Sequence, residues 1–198
     1  MRTGSTPVTR TINYKFSIGK FLKGIYVMTE FLKDPKFHLC RQEHEYYHFG
    51  EVYTPPITWA DVVCEIDKAT TNKMWSYIND GKYLEMHLRR AGDIKYVPEL
   101  LVEYGELDKT KFASAHAYIS FSSIGKGTGR HRSKSDVLFW QAIGSTRWVV
   151  EGKMGTTTIT LPPGHVLYIP HAMYHTVVPL SPRVGISLGL DYLNSDKI

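Results

Sequence analysis

The chain has 198 residues, with 24 lysines and arginines against 19 acids and a net charge of +5. Hydrophobic residues make up 42% and charged residues 22%, an ordinary globular composition that excludes a disordered tail, a collagen-like fibre and a coiled coil. No run approaches the roughly 18 consecutive apolar residues that would span a bilayer, so no membrane partner is expected. The polar opening segment, residues 1–16, shows no apolar signal region. Two cysteines, Cys40 and Cys64, make neither a disulfide framework nor a CxxC pair, and the expectation is a reducing, cytoplasmic compartment.

The first fifty-odd residues are mixed, with room for a short helix at 17–23 and a strand at 44–53. Residues 58–105 are predicted to be helical. Thr58 and Asp61 resemble a capping box, and Trp59, Val62, Val63 and Ile66 recur at helical spacing. Asn79-Asp80-Gly81 marks a turn, after which Leu84, Leu88 and Ala91 continue a helical stripe up to Gly92. Pro98 suits a first turn, Leu100, Leu101 and Tyr104 share a face, and Gly105 suits a helix end. From about 114 the period changes to two: Ala115, Ala117, Ile119 and Phe121 alternate with His116, Tyr118 and Ser120. Runs at 137–143, 147–150, 156–161, 166–169, 175–178 and 184–190 follow, separated by glycine and proline turns. Short strands at this spacing predict a sandwich or barrel. Thirteen tyrosines and four tryptophans favour β-structure and aromatic pocket walls. The whole of 1–198 is read as one structural unit.

Two stretches carry histidines suited to chemistry. One is Gly125 to Asp136, around His131; the other is Gly164 to His175. A histidine at a strand entrance and a second after a later turn can meet at a barrel mouth. With a carboxylate they form the facial ligand set of a non-haem iron centre. His44 and His48 read as structural or surface residues, and His165 and His171 as solvent-facing near the rim.

The stretch His131, Asp136, the strand 137–140, Gln141, Gly144 and Trp148 resembles the JmjC/cupin-like oxygenases that use Fe(II) and 2-oxoglutarate. Pro163-Gly164, a strand ending at Pro170, and His175 are similar to the second half of that pattern. The resemblance covers roughly 112–190. It implies a mostly β fold with α, a double-stranded β-helix (cupin/jelly-roll) barrel with the helical segment 58–105 packed outside it. It also implies Fe(II) on His131 and His175, 2-oxoglutarate on the metal, and hydroxylation of a C–H bond.

The chain departs from this pattern at two places. Ser133 stands where the family has its metal-binding Asp, so a third ligand would have to come from Asp136 swinging in, or from water or an anion. Thr146 stands where many members hold the far carboxylate of 2-oxoglutarate with Lys or Arg. Thr146 can donate one hydrogen bond. Arg183, which shares a face with Gly185 and Ser187 on the last strand, is the candidate substitute, although its place beside Pro182 better supports an exposed side chain. Tyr118 and Ser120 can add hydrogen bonds to a bound acid. Lys126, Arg130, Arg132 and Lys134 put four cations in a glycine-interleaved loop, suited to an anionic substrate or a nucleic acid.

Three readings follow: a 2-oxoglutarate-dependent oxygenase of unknown substrate; a catalytically inactive cupin-fold binding protein for an anionic ligand, nucleic acid or partner protein; and a metal-dependent cupin enzyme without 2-oxoglutarate. A homodimer through the helical segment is compatible with each. From residue 112 onward there are eight lysines and arginines against four acids, so the loop accounts for the charge excess of the barrel half.

Overall fold

A computed structural model describes residues 32–52, 57–72, 75–78, 85–88, 111–123, 127 and 129–191. Two antiparallel sheets carry the architecture. The larger runs β1 (Tyr47–Glu51), β9 (His165–Ile169), β6 (Asp136–Ile143), β11 (Arg183–Asp191), β4 (Lys111–Ser120), β3 (Glu85–Leu88), β2 (Trp75–Ile78). The smaller runs β5 (His131–Arg132), β10 (Tyr174–Pro179), β7 (Thr146–Gly152), β8 (Gly155–Leu161). Together with helices α1 (Pro35–Gln42) and α2 (Trp59–Asn72), this is the cupin/jelly-roll arrangement.

Alternation within each strand sorts the side chains into two cores. On β6, Leu138, Trp140 and Ala142 face outward and join Ile119, Tyr168, Ile186 and Leu188 in a layer covered by Phe37 and Val62 of the helices. Val137 and Phe139 face inward and meet Trp148, Val150, Leu161, Leu167, Ile169 and Val177 between the sheets. Both faces of the large sheet are therefore buried, which is why β6 is buried from Asp136 to Ala142 and reads as a continuous apolar run.

The local signals at the helix starts are realised as hydrogen bonds. In α2, the Thr58 N–H donates to Asp61 Oδ2 at 2.9 Å and the Asp61 N–H donates to Thr58 Oγ1 at 3.2 Å, a reciprocal cap. In α1, Asp34 is the N-cap, accepting from the Lys36 N–H at 2.9 Å, and Pro35 opens the helix.

The helical reading of 58–105 is corrected in its middle. After α2, residues 75–78 and 85–88 form a hairpin whose second strand pairs with β4. Trp75-Ser76-Tyr77 and Glu85-Met86-His87-Leu88 each alternate polar and apolar, and Asn79-Asp80-Gly81 between them is hairpin chemistry. The Leu84–Leu88 spacing fits a helix only if that alternation is ignored. The predicted helix at 98–105, and the one at 17–23, lie outside the described residues. The early strand is shorter than predicted, starting at Tyr47, because the chain leaves α1 through His44 at φ +56°. Among the described residues no helix is long and apolar enough to cross a membrane.

Candidate functional site

β5 and β10 are antiparallel neighbours, and their register sets His131 directly opposite His175. The two imidazoles lie 4.3 Å apart, centroid to centroid, at 63°. Each ring is held from behind by a backbone carbonyl: His131 Nδ1 lies 3.0 Å from the Gly129 oxygen, and His175 Nδ1 lies 3.0 Å from the Met173 oxygen. A carbonyl only accepts, so both Nδ1 atoms carry a proton, and in the neutral form of each ring the lone pair is on Nε2. This is the tautomer a metal-ligating histidine needs, with its other nitrogen anchored by an acceptor. Burial pushes the pKa of His175 down to about 4, helped by its neighbour His131 and opposed by the Met173 hydrogen bond. At neutral pH the His175 imidazole is therefore uncharged.

Both histidines line a cavity between the sheets, together with Tyr118, Ser133, Phe139, Trp148, Arg183 and Ser187. Arg183 is only 2% exposed. It shares the inward parity of β11 with Gly185 and Ser187, and lies opposite Ser120 of β4. The reading of Arg183 as exposed is thereby set aside. A guanidinium keeps its charge at any ordinary pH, and one buried this deeply on a cavity wall favours an anion in that cavity.

The other sequence candidates fall elsewhere. Asp136 does not turn in towards the imidazoles. It has the outward parity of Leu138 and Trp140, and its buried carboxylate accepts from Tyr168 Oη at 2.6 Å and from the His171 N–H at 2.8 Å. Thr146 does not line the cavity either. Its hydroxyl donates to Gln141 Oε1 at 2.8 Å and accepts from Trp148 Nε1 at 3.0 Å. Gln141 Nε2 in turn donates to the Ile143 carbonyl at 2.8 Å. This chain of bonds fixes the Trp148 ring beside His175, with centroids 5.6 Å apart and 30° between planes, and against Phe139. Thr146 thus shapes the cavity wall.

Of the loop cations, Lys126 lies outside the described residues. Arg130 is already engaged within the protein: Nε and Nη2 reach the two carboxylate oxygens of Glu151 at 2.6 and 2.8 Å, and the guanidinium lies 3.7 Å over the Tyr174 ring. Arg132 and Lys134 are exposed on either side of Ser133. Gly127 of the loop is needed for close approach, since a Cβ there would fall 1.9 Å from the Val177 carbonyl oxygen. His48 and His165 are half-buried and bonded to one another at 3.0 Å, and His44 stacks edge-on against His171.

The residues fit a divalent metal on two imidazoles and an organic acid on Arg183. They lack the carboxylate of a facial triad: among the described residues no group of three His, Cys, Asp or Glu side chains is placed to hold a metal. Ser133 supplies a neutral hydroxyl in the same cavity.

No family model and no curated protein matches the sequence. Solved structures do resemble it. Escherichia coli YcfD aligns with a TM-score of 0.64 at 17% identity, over 82% of this chain and 54% of that one. YcfD described as a ribosomal oxygenase, in complex with cobalt and 2-oxoglutarate, aligns at 0.62 and 18% over 82% and 53%. SnoN, described as a non-heme alpha-ketoglutarate-dependent epimerase from nogalamycin biosynthesis, aligns at 0.55 and 10% over 79% and 81%. The chain spans about half the length of YcfD. What it shares with these proteins is the fold, a cupin/jelly-roll barrel.

Proposed function

We propose that the chain is a non-haem iron, 2-oxoglutarate-dependent oxygenase built on two histidine ligands. The observation that carries this reading is the pairing of His131 and His175, each anchored through Nδ1, in one cavity with the buried guanidinium of Arg183. Iron and 2-oxoglutarate bound there would supply oxidative attack on a substrate C–H bond. The chain's own part is positional. His131 and His175 present Nε2, Arg183 with Ser187 and Tyr118 receives the remote carboxylate, and Phe139, Trp148 and Val177 keep water from the interior face. Exposed Arg132 and Lys134 at Ser133 favour an anionic substrate.

Ser133 favours a second reading, a barrel that binds a small acid without oxygen chemistry. Anaerobic Fe(II) loading followed by a 2-oxoglutarate titration separates the two. The oxygenase reading expects stoichiometric iron that His131→Ala or His175→Ala abolishes, and an acid response lost in Arg183→Met with iron retained. Ser133→Asp should tighten iron by adding a charged ligand. No iron above background, with acid still bound through Arg183, would leave the binding reading.

A further inference from the structure

We propose that Asp136 is a positioning residue: from behind the site it sets the imidazole of His175 by holding the turn 170–173 closed. Its buried carboxylate faces away from the cavity, yet the segment leading into His175 is tied to it step by step. Oδ1 accepts both the backbone N–H of His171 at 2.8 Å and the His171 Nδ1–H at 3.1 Å. The next residue, Ala172, donates its N–H to the Ser133 carbonyl at 2.8 Å, knitting this turn to the segment between His131 and Asp136. Met173 then provides the carbonyl that fixes His175 Nδ1. His175 follows in register with His131.

The turn needs a clamp because Ala172 has φ +61°, a left-handed conformation that a side chain with Cβ adopts only when its surroundings impose it. Freed from Asp136, Ala172 relaxes to negative φ and the Met173 carbonyl turns with it. The second carboxylate oxygen anchors the clamp itself: Oδ2 accepts from Tyr168 Oη and lies 3.7 Å from Arg41 Nε of α1. The helix outside the barrel is thereby connected to the ligand loop inside it. A buried carboxylate with three hydrogen bonds and a guanidinium is an expensive group to keep for packing alone.

The proposal concerns the metal-free protein and rests on the oxygenase reading only for its consequence on metal binding. It is tested by the tautomer of His175 in long-range 1H–15N spectra of the metal-free full chain at neutral pH. The parent should show His175 protonated on Nδ1. Asp136→Ala should give a mixture of tautomers, and Asp136→Ala with Ala172→Gly should return towards the parent, because glycine takes positive φ without strain. Tyr168→Phe, which removes a partner of Oδ2 and leaves Oδ1 on the turn, should keep the parent tautomer. If circular dichroism shows Asp136→Ala unfolded, His171→Ala replaces it, since it removes one half of the clamp from a half-exposed side chain. A folded clamp variant whose His175 keeps the Nδ1 proton overturns the proposal. Cobalt(II) titration of the same proteins reads the consequence, an affinity loss of about 10–100-fold in the clamp variant. A parent that takes up no cobalt overturns the two-histidine metal reading, and the tautomer still decides the role of Asp136.

Discussion

Parity along a strand decides what Gly185, Asp136 and Thr146 do, whatever their chemistry alone suggests. Gly185 is the sharpest case. It faces inward between Arg183 and Ser187, and a Cβ there would fall 2.1 Å from Cζ of Phe139. The Phe139 ring occupies that missing side chain's space and from there meets Trp148 at 4.6 Å. Gly185→Ala should destabilise the protein by about 1–3 kcal/mol, the usual range for overpacking a filled core. Adding Phe139→Leu should recover more than half of that loss, since the pair then shares the space. Urea unfolding of the two single variants and the double measures both numbers, and simple additivity would show that the two positions do not compete. The histidine pair was legible in the sequence through the resemblance of the two stretches to one family pattern, His131 two residues after Gly129 and His175 after the strand that ends at Pro170. The face of Asp136 was legible too, through its even spacing from Leu138 and Trp140. Arg183 was legible as a candidate from the face it shares with Gly185 and Ser187, but its burial was not, because Pro182 signals a loop. The role of Thr146 was hidden because its hydroxyl is taken up by Gln141 across a turn and by Trp148 two residues along its own strand.

At the scale of elements, α1 shows how a short helix is fixed by one residue. Asp34 Oδ1 caps it through Lys36, while Oδ2 accepts from Tyr47 Oη of β1 at 2.7 Å. The same hydrogen bond raises the Tyr47 pKa to about 12. The Tyr47 hydroxyl, then the Lys36 N–H, hold the Asp34 carboxyl below its ordinary value. Asp34→Ala should cost about 1 kcal/mol, the typical value of an N-cap, with a further loss from β1 docking. The sign of the pH effect follows from the lowered pKa. As pH falls, the unfolded chain takes up its proton first, at about pH 4. The contribution is therefore complete above that value and disappears as pH drops through the folded pKa. Asp34→Asn cannot ionise, so the parent should lose stability relative to it between about pH 5 and pH 3. Parallel denaturation curves across that window would remove Asp34 from the account. Elements were legible where a local signal stood alone, as in the Thr58–Asp61 cap. They were misread where two periods overlapped, as in 84–88. There the pairing of β3 with β4 selects the strand, and such pairing is a tertiary fact that no local window contains.

On the scale of the whole molecule, the jelly roll divides its labour between two faces of the large sheet. The outer face is closed by helices and buries Asp136, while the inner face encloses His131, His175 and Arg183. The site cavity therefore holds a fixed cation and no described carboxylate, and charge at its mouth becomes the remaining lever on an anionic partner. Sequence counting assigns that lever to the whole loop, because the four cations there have no acid among them. Folding brings Glu151 from β7 onto Arg130, a pair that contributes no net charge and braces the loop over Tyr174. The exposed Arg132 and Lys134 remain. Binding of a short DNA duplex, used as a polyanion probe, should respond accordingly. Replacing both Arg132 and Lys134 with Gln should lower the slope of log affinity against log salt by up to about 1.8, roughly 0.9 for each phosphate no longer neutralised. Replacing Arg130 and Glu151 together, each with Gln, removes as many charged side chains but no net charge, and should leave the slope unchanged while lowering thermal stability slightly. Equal slopes in the parent and the Arg132/Lys134 variant would mean that these cations are only solvated. A slope lost instead with the Arg130–Glu151 pair would mean that the braced loop, rather than its exposed charges, meets the polyanion.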